Sequence, residues 1–197
     1  MRPRTAPGEL LAAVSDVLSR WGDRWYLFGA QAVTLWGRPR LTADVDITVH
    51  LDPEDAAGFC ADMERAAFQL LVSDRESFVA RTRVLPFLHQ PTQLPLDVVL
   101  AGPGLEQQFL QRAVRVDIEG VSVPVISPED LVVVKILAGR PKDIEDVRSV
   151  LARRAGTLDR ERIRSLLAAL EQALSQNDLL PLFEAEHARA MRFRQEE

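Results

Sequence analysis

Hydrophobic positions recur along this chain with two different periods, and the changeover divides it. Leu10, Leu11, Val14, Val17, Leu18 and Trp21 fall at helical spacing and predict a helix over residues 8–21. Trp25 to Phe28 then reads as a short strand, and Gln31 to Trp36 as a helix whose N-terminus abuts Gly29. Such an N-terminus offers unpaired N–H groups and the positive end of the helix dipole, which suits a phosphate. From Asp44 to Leu51 the period is two, with Val45, Ile47 and Val49 alternating with Asp44, Asp46 and Thr48. Asp52-Pro53-Glu54-Asp55 opens a helix with proline in its first turn, running to about Ala67. Leu70–Val72, Arg83–His89 and Leu94–Leu100 read as strands and Gly104–Ala113 as a helix. Val114–Ile118 and Val121–Val125 are strands joined across Glu119-Gly120, a hairpin signal.

From Ser127 the pattern is helical. Ser127 is a good N-cap, followed by Pro128 and two acids in the first turn, and the helix ends near Gly139. Further helices run from Pro141 to about Arg154, from Asp159 to Leu174, and from about Leu179. The expected organisation is an α/β (α+β) domain over residues 1–126 and a C-terminal helical subdomain over residues 127–197, with a ligand site where the two halves meet.

Composition narrows the class of protein. The chain has 197 residues, of which 47% are hydrophobic, enough for a real core. Apolar runs stay short of a membrane span, and the proline-rich, charged Met1–Gly8 segment argues against a secretory signal. Cys60 is the only cysteine, which fits a reducing cytoplasm, and three scattered histidines make a structural zinc site improbable. A net charge of −5 argues against a protein that binds nucleic acid with its whole surface. Arginines nevertheless cluster at Arg148, Arg153, Arg154, Arg160, Arg162 and Arg164, and again at Arg189, Arg192 and Arg194. They read either as the solvated faces of amphipathic helices or as a landing site for a polyanion such as RNA.

The chemistry concentrates in two carboxylates on one strand face. Side chains at i and i+2 of a strand point the same way, so Asp44 and Asp46 lie side by side. Adjacent carboxylates repel unless a positive group sits between them, and hard oxygen donors suit Mg²⁺. A third acid, Asp97, stands alone in the apolar run Leu94–Leu100, where an isolated buried carboxylate is costly. Three acids on neighbouring strands can hold two metal ions. Beside the glycine turn at Gly29, they suggest phosphoryl or nucleotidyl transfer. The bland alternatives are a solvated surface pair for Asp44 and Asp46, and a backbone-bonded carboxylate for Asp97.

The run Leu27-Phe28-Gly29-Ala30, the Asp44-Val45-Asp46 strand and the later Asp97 together resemble the polymerase-beta-like nucleotidyltransferase superfamily. The resemblance implies a mixed sheet with flanking helices, and two Mg²⁺ ions, or Mn²⁺, held by Asp44, Asp46 and Asp97. Asp97 would also deprotonate or orient the attacking hydroxyl. Backbone N–H groups of Gly29 and Ala30 would face the triphosphate of an NTP such as ATP. Ala30 departs from the family's usual glycine or serine and lacks a hydroxyl to offer a phosphate. Arg38 and Arg40 precede the metal strand, within reach of phosphates or of the acceptor, and the planar fork of arginine suits that role.

A narrower resemblance lies in Val125–Val147. Its Ser127-Pro128-Glu129-Asp130, Lys135, Arg140 and Lys142-Asp143 are similar to a segment of small bacterial nucleotidyltransferases. These include the AbiEii/AbiGii-type toxins of type IV toxin–antitoxin systems. This implies a catalytic Lys135 near the triphosphate, with Asp143 and Asp146 as a supporting polar pair. It also implies an antitoxin protein as partner. The expected activity is transfer of a nucleoside monophosphate from an NTP to a hydroxyl, with release of pyrophosphate. The acceptor stays open between the 3′ end of a tRNA, a protein hydroxyl and a small molecule such as an aminoglycoside. Ala30 leaves room for a non-catalytic nucleotide-binding relative.

Overall fold

The computed structural model describes residues 3–39, 42 and 44–195. It contains α1 (Ala6–Arg20), β1 (Trp25–Phe28), α2 (Gly29–Trp36), β2 (Val45–Val49), α3 (Ala56–Arg65), β3 (Phe68–Leu70), α4 (Arg75–Thr82), β4 (Val84–His89) and β5 (Leu94–Leu100). After these come α5 (Leu105–Arg112), β6 (Val114–Ile118), β7 (Val121–Val125), α6 (Pro128–Ala138), α7 (Pro141–Arg154), α8 (Arg160–Leu174) and α9 (Leu179–Gln195). They fall into two compact units, Met1–Gln31 with Leu41–Ile126, and Ala32–Arg40 with Ser127–Glu197.

The first unit is built on a mixed sheet. Among the described residues seven strands are ordered β3-β4-β5-β2-β1-β7-β6. Neighbours are antiparallel except β2 with β5 and β1 with β7. Burial alternates along β4 and β5: Leu85 and Phe87 on β4 and Leu96 and Val98 on β5 are fully buried, and their neighbours are less so, whereas β2 is buried at every residue but Asp46. α1 buries Leu10, Leu11, Val14, Val17 and Leu18 on one stripe, and Thr5 caps it by accepting the Gly8 N–H. The β6–β7 connection is the expected two-residue hairpin. Glu119 at φ 54° and Gly120 at φ 81° are both left-handed, as a type I′ turn requires.

Several expectations shift. The second helix begins at Gly29 itself rather than Gln31, and the 52–67 helix is a 3-10 turn, Pro53–Asp55, followed by α3. The strand expected at Leu70–Val72 is Phe68–Leu70, because Phe68 supplies the buried side chain facing the core. α4 has no buried residue, so no apolar stripe marks it in the sequence; Asp74 caps it through the Ser77 N–H.

The second unit is helical. Ser127 caps α6 through the Asp130 N–H at 3.1 Å, Pro128 occupies the first turn, and Gly139 closes the helix at φ 62°. Buried Asp130 accepts Nε and Nη2 of Arg162 at 2.9 and 2.8 Å, tying α8 to the start of α6. The segment Ala32–Arg40 joins this unit through α7. The Arg154 guanidinium lies 4.8 Å from the Trp36 ring centroid, and Arg153 donates to the Gly37 carbonyl at 2.8 Å. A Cβ on Gly37 would come within 2.5 Å of the Ser149 hydroxyl, so only glycine allows this approach.

Candidate active site

The parallel β2–β5 pairing sets Asp46 directly opposite Asp97. Residues in register on adjacent strands project from the same face, so the two carboxylates share one side of the sheet. Both are half-buried, and Asp44, one residue ahead of β2, is exposed. The Thr42 hydroxyl lies 3.4 Å from both the N–H and the carbonyl oxygen of Asp44, a local turn that shapes the entry to the strand.

Gly29 makes room for this arrangement. Phe28 pairs with Asp46 across the antiparallel β1–β2 ladder, so the next residue abuts the Asp46 side chain. A Cβ on Gly29 would fall 1.9 Å from Asp46 Oδ2, and Gly29 sits at φ 65°. Both the space and the backbone conformation therefore demand glycine. Ala30 is buried in the first turn of α2.

The proton affinity of Asp97 is raised. Partial burial pushes its pKa above the ordinary 3.8, and the negative charge of Asp44 pushes it further. Among the described residues no group of three or more His, Cys, Asp or Glu side chains is drawn together tightly enough to form a ready metal cage. The donor chemistry fits a hard divalent cation all the same. Asp46 and Asp97 offer oxygen ligands side by side, and added positive charge would relieve the repulsion that Asp97 registers.

In the helical unit, Lys135 of α6 donates to Asp143 Oδ1 at 2.7 Å and lies 2.8 Å from Asp146 Oδ2, both on α7. All three are buried. Arg140, in the turn between the helices, adds two hydrogen bonds to Asp143. Burial alone would raise the Asp143 pKa, but the hydrogen bonds and charges of Arg140 and Lys135 outweigh it and hold the carboxyl below 3.8. Asp143 and Asp146, at i, i+3 on α7, thus converge on Lys135.

Arg38 is exposed, and its backbone N–H donates to Ser149 Oγ at 2.6 Å. This anchor joins residues 111 positions apart, and no local signal in the sequence announces it. Arg40 lies outside the described residues. Most of the clustered arginines hold neighbouring elements. Arg148 pairs with Glu186 at 2.8 Å, Arg160 and Arg164 both with Glu184, Arg162 with Asp130, and Arg153 and Arg154 with the carbonyls of Gly37 and Trp36. Arg192 is exposed.

A mixed sheet that sets carboxylates from two parallel strands beside a glycine-led helix defines a nucleotidyltransferase fold. The chain belongs to the family described as "nucleotidyltransferase of unknown function" (DUF6036), whose signature matches residues 23–180. Among solved structures it is similar to ANT(2'')-Ia in complex with adenylyl-2''-tobramycin, with a TM-score of 0.58 at 17% identity over 86% of this chain and 99% of that one. An antigenic nucleotidyltransferase-like protein from Paracoccidioides brasiliensis aligns with a TM-score of 0.56 at 20% identity, over 90% of this chain and 92% of that one. At such identities the likeness is one of fold. No curated protein matches the chain in sequence. No described helix is long and apolar enough to cross a membrane.

Proposed function

We propose that this protein is a divalent-metal-dependent nucleotidyltransferase that moves a nucleoside monophosphate from an NTP to a hydroxyl acceptor. The observation that carries the reading is the register of Asp46 with Asp97 beside Gly29. In the reaction the acceptor oxygen bonds to the α-phosphorus, the bond from that phosphorus to the bridging oxygen breaks, and pyrophosphate leaves. Asp97 takes the hydroxyl proton or orients the hydroxyl; its raised proton affinity suits a base working nearer neutrality than an ordinary carboxylate. Asp44, Asp46 and Asp97 would hold Mg²⁺ or Mn²⁺, which when bound stabilises charge on the attacking and leaving oxygens. N–H groups in the first turn of α2, at Gly29 and Ala30, and the side chains of Arg38 and Arg40 would receive the triphosphate. Lys135, held between Asp143 and Asp146, completes the residues assigned to nucleotide handling.

Two acceptors are carried forward. The likeness of residues 125–147 to the AbiEii/AbiGii-type toxins favours the 3′ end of a tRNA, a cytoplasmic site of action and an antitoxin partner. The net charge of −5, and the engagement of so many arginines in holding helices together, favour a small cationic acceptor such as an aminoglycoside. The test is incubation with each α-labelled NTP, Mg²⁺ and either total tRNA or an aminoglycoside panel. Label on either acceptor that disappears in Asp46→Asn supports the enzyme and names the acceptor. Nucleotide binding with no transfer to RNA, protein or drug would favour the non-catalytic relative.

A further inference from the structure

The sheet ends on β6, and among the described residues no strand pairs with its outer edge. Val114, Arg115 and Asp117 are exposed there. Such an edge is a template for another strand. The type I′ turn fixes which backbone groups it offers. In a two-residue hairpin the residues flanking the turn exchange hydrogen bonds, so Ile118, Val116 and Val114 bond inward to Val121, Val123 and Val125. The N–H and C=O groups of Arg115 and Asp117 therefore point outward.

The sequence on that edge, Val114-Arg115-Val116-Asp117-Ile118, is complementary to itself when reversed. We infer that β6 is a homodimerisation edge, pairing antiparallel with β6 of a second copy about a two-fold axis at Val116. Arg115 then faces Asp117 of the other copy, twice. Those are the residues whose backbone groups point outward, so the ladder closes with both exchanged pairs intact. Val114, 40% exposed in the single chain, faces Ile118 of the other copy in the close, non-hydrogen-bonded position. Opposite charges directly across a ladder stabilise it and like charges oppose it, so the edge selects itself in this one register. An isologous contact of this kind closes as a dimer and leaves no growing end on β6.

Within one chain Arg115 reaches back to Asp23 and to the Ser122 carbonyl, and Asp117 accepts the Gly120 N–H. Pairing asks Arg115 to exchange Asp23 for the second copy's Asp117. Five residues a side make a small contact, so the dimer forms at high concentration rather than low.

The test uses the full chain in sedimentation velocity from micromolar to millimolar concentration. Arg115→Asp and Asp117→Arg are each placed on Asp23→Asn, which removes the competing charge and keeps an oxygen for Trp25 Nε1. Each reversal puts like charges across the axis and should weaken self-association by about tenfold or more. An equimolar mixture of the two places opposite charges across it again and should restore a dimer, in which each variant occurs once. Restoration on mixing cannot arise from misfolding of either variant, and far-UV circular dichroism checks each alone. An unaltered chain that stays monomeric throughout, reversals that dimerise as it does, or a mixture that remains monomeric would each overturn the inference.

Discussion

Asp143 and Asp97 are both carboxylates withdrawn from full solvent, yet their proton affinities move in opposite directions. Asp143 is completely buried, and burial by itself would raise its pKa. Lys135 and Arg140 reverse that by donating to both of its oxygens. Asp97 is less buried, and its pKa rises, first through burial and then through the negative charge of Asp44. The buried cluster carries the counter-charges of Lys135 and Arg140 within it. The other sets negative charge beside negative charge on an accessible face of the sheet. The second, Asp44 beside Asp97, is an arrangement that an added cation improves.

The largest effect separating the two clusters should be on catalysis. Asp97→Asn keeps the size of the side chain and removes a charge and a base, so nucleotidyl transfer should fall about 10²–10⁴-fold while the protein stays folded. Single-turnover label transfer, with circular dichroism alongside, measures both halves of that statement. Full activity in a folded Asp97→Asn variant would remove Asp97 from the centre.

Lys135→Met should cost stability in addition to any loss in nucleotide handling. It leaves the buried Asp146 without its lysine and Asp143 dependent on Arg140, and breaking a buried pair of this kind costs about 3 kcal/mol. Urea denaturation would show the loss. A change under about 0.5 kcal/mol would mean that the cluster does not hold α6 to α7 as described.

Gly29→Ala comes next. Its left-handed backbone alone should cost about 1–2 kcal/mol. The added methyl must also displace the Asp46 carboxylate, so activity should drop by more than the stability change explains. Substitution at Ala30, where φ is not left-handed, lacks this double penalty.

The smallest effect is in the pH dependence, and its sign differs between the two acids. Asp97 has a folded pKa above its unfolded value, so its contribution to stability is present below pH 3.8 and is lost as pH rises through the folded pKa. Asp97→Asn should therefore melt slightly higher than the unaltered protein at neutral pH in the presence of a chelator. Asp143 has a depressed pKa, so its contribution is present above pH 3.8 and is lost as pH falls below that value. Acid melting curves of Asp143→Asn should be flatter in that range. Parallel curves for both variants would erase the contrast.

Much of the sheet is legible in the sequence because its strands are short apolar runs bounded by turn residues. β1, β6 and β7 begin and end where their hydrophobic runs do, and the Glu119-Gly120 turn is announced by its residues. α6 is legible at both ends from Ser127, Pro128 and Gly139. α4 is not, because it buries nothing, and periodicity reports burial rather than helicity. At the site, the spacing of Asp44 and Asp46 marks the strand, but β2 begins only at Val45, and the register of Asp46 with Asp97 is a property of strand pairing. The pressure of Asp46 on Gly29 is equally non-local, since it depends on β1 and β2 lying side by side. The arginines teach the converse. Their clustering in sequence suggests a basic surface, and their long-range partners, such as Glu184 for Arg160 and Arg164, turn most of them into ties between helices.

The most direct test is thermal denaturation of the unaltered protein and of the Asp97→Asn variant with ATP, GTP, CTP or UTP, each with and without Mg²⁺. A ligand that binds the folded state raises its melting temperature as its concentration exceeds its Kd. A metal-dependent rise in the unaltered protein that is lost in the variant is the predicted result. An equal, metal-dependent rise in both would contradict the assignment of the β2–β5 carboxylates as the metal and nucleotide centre.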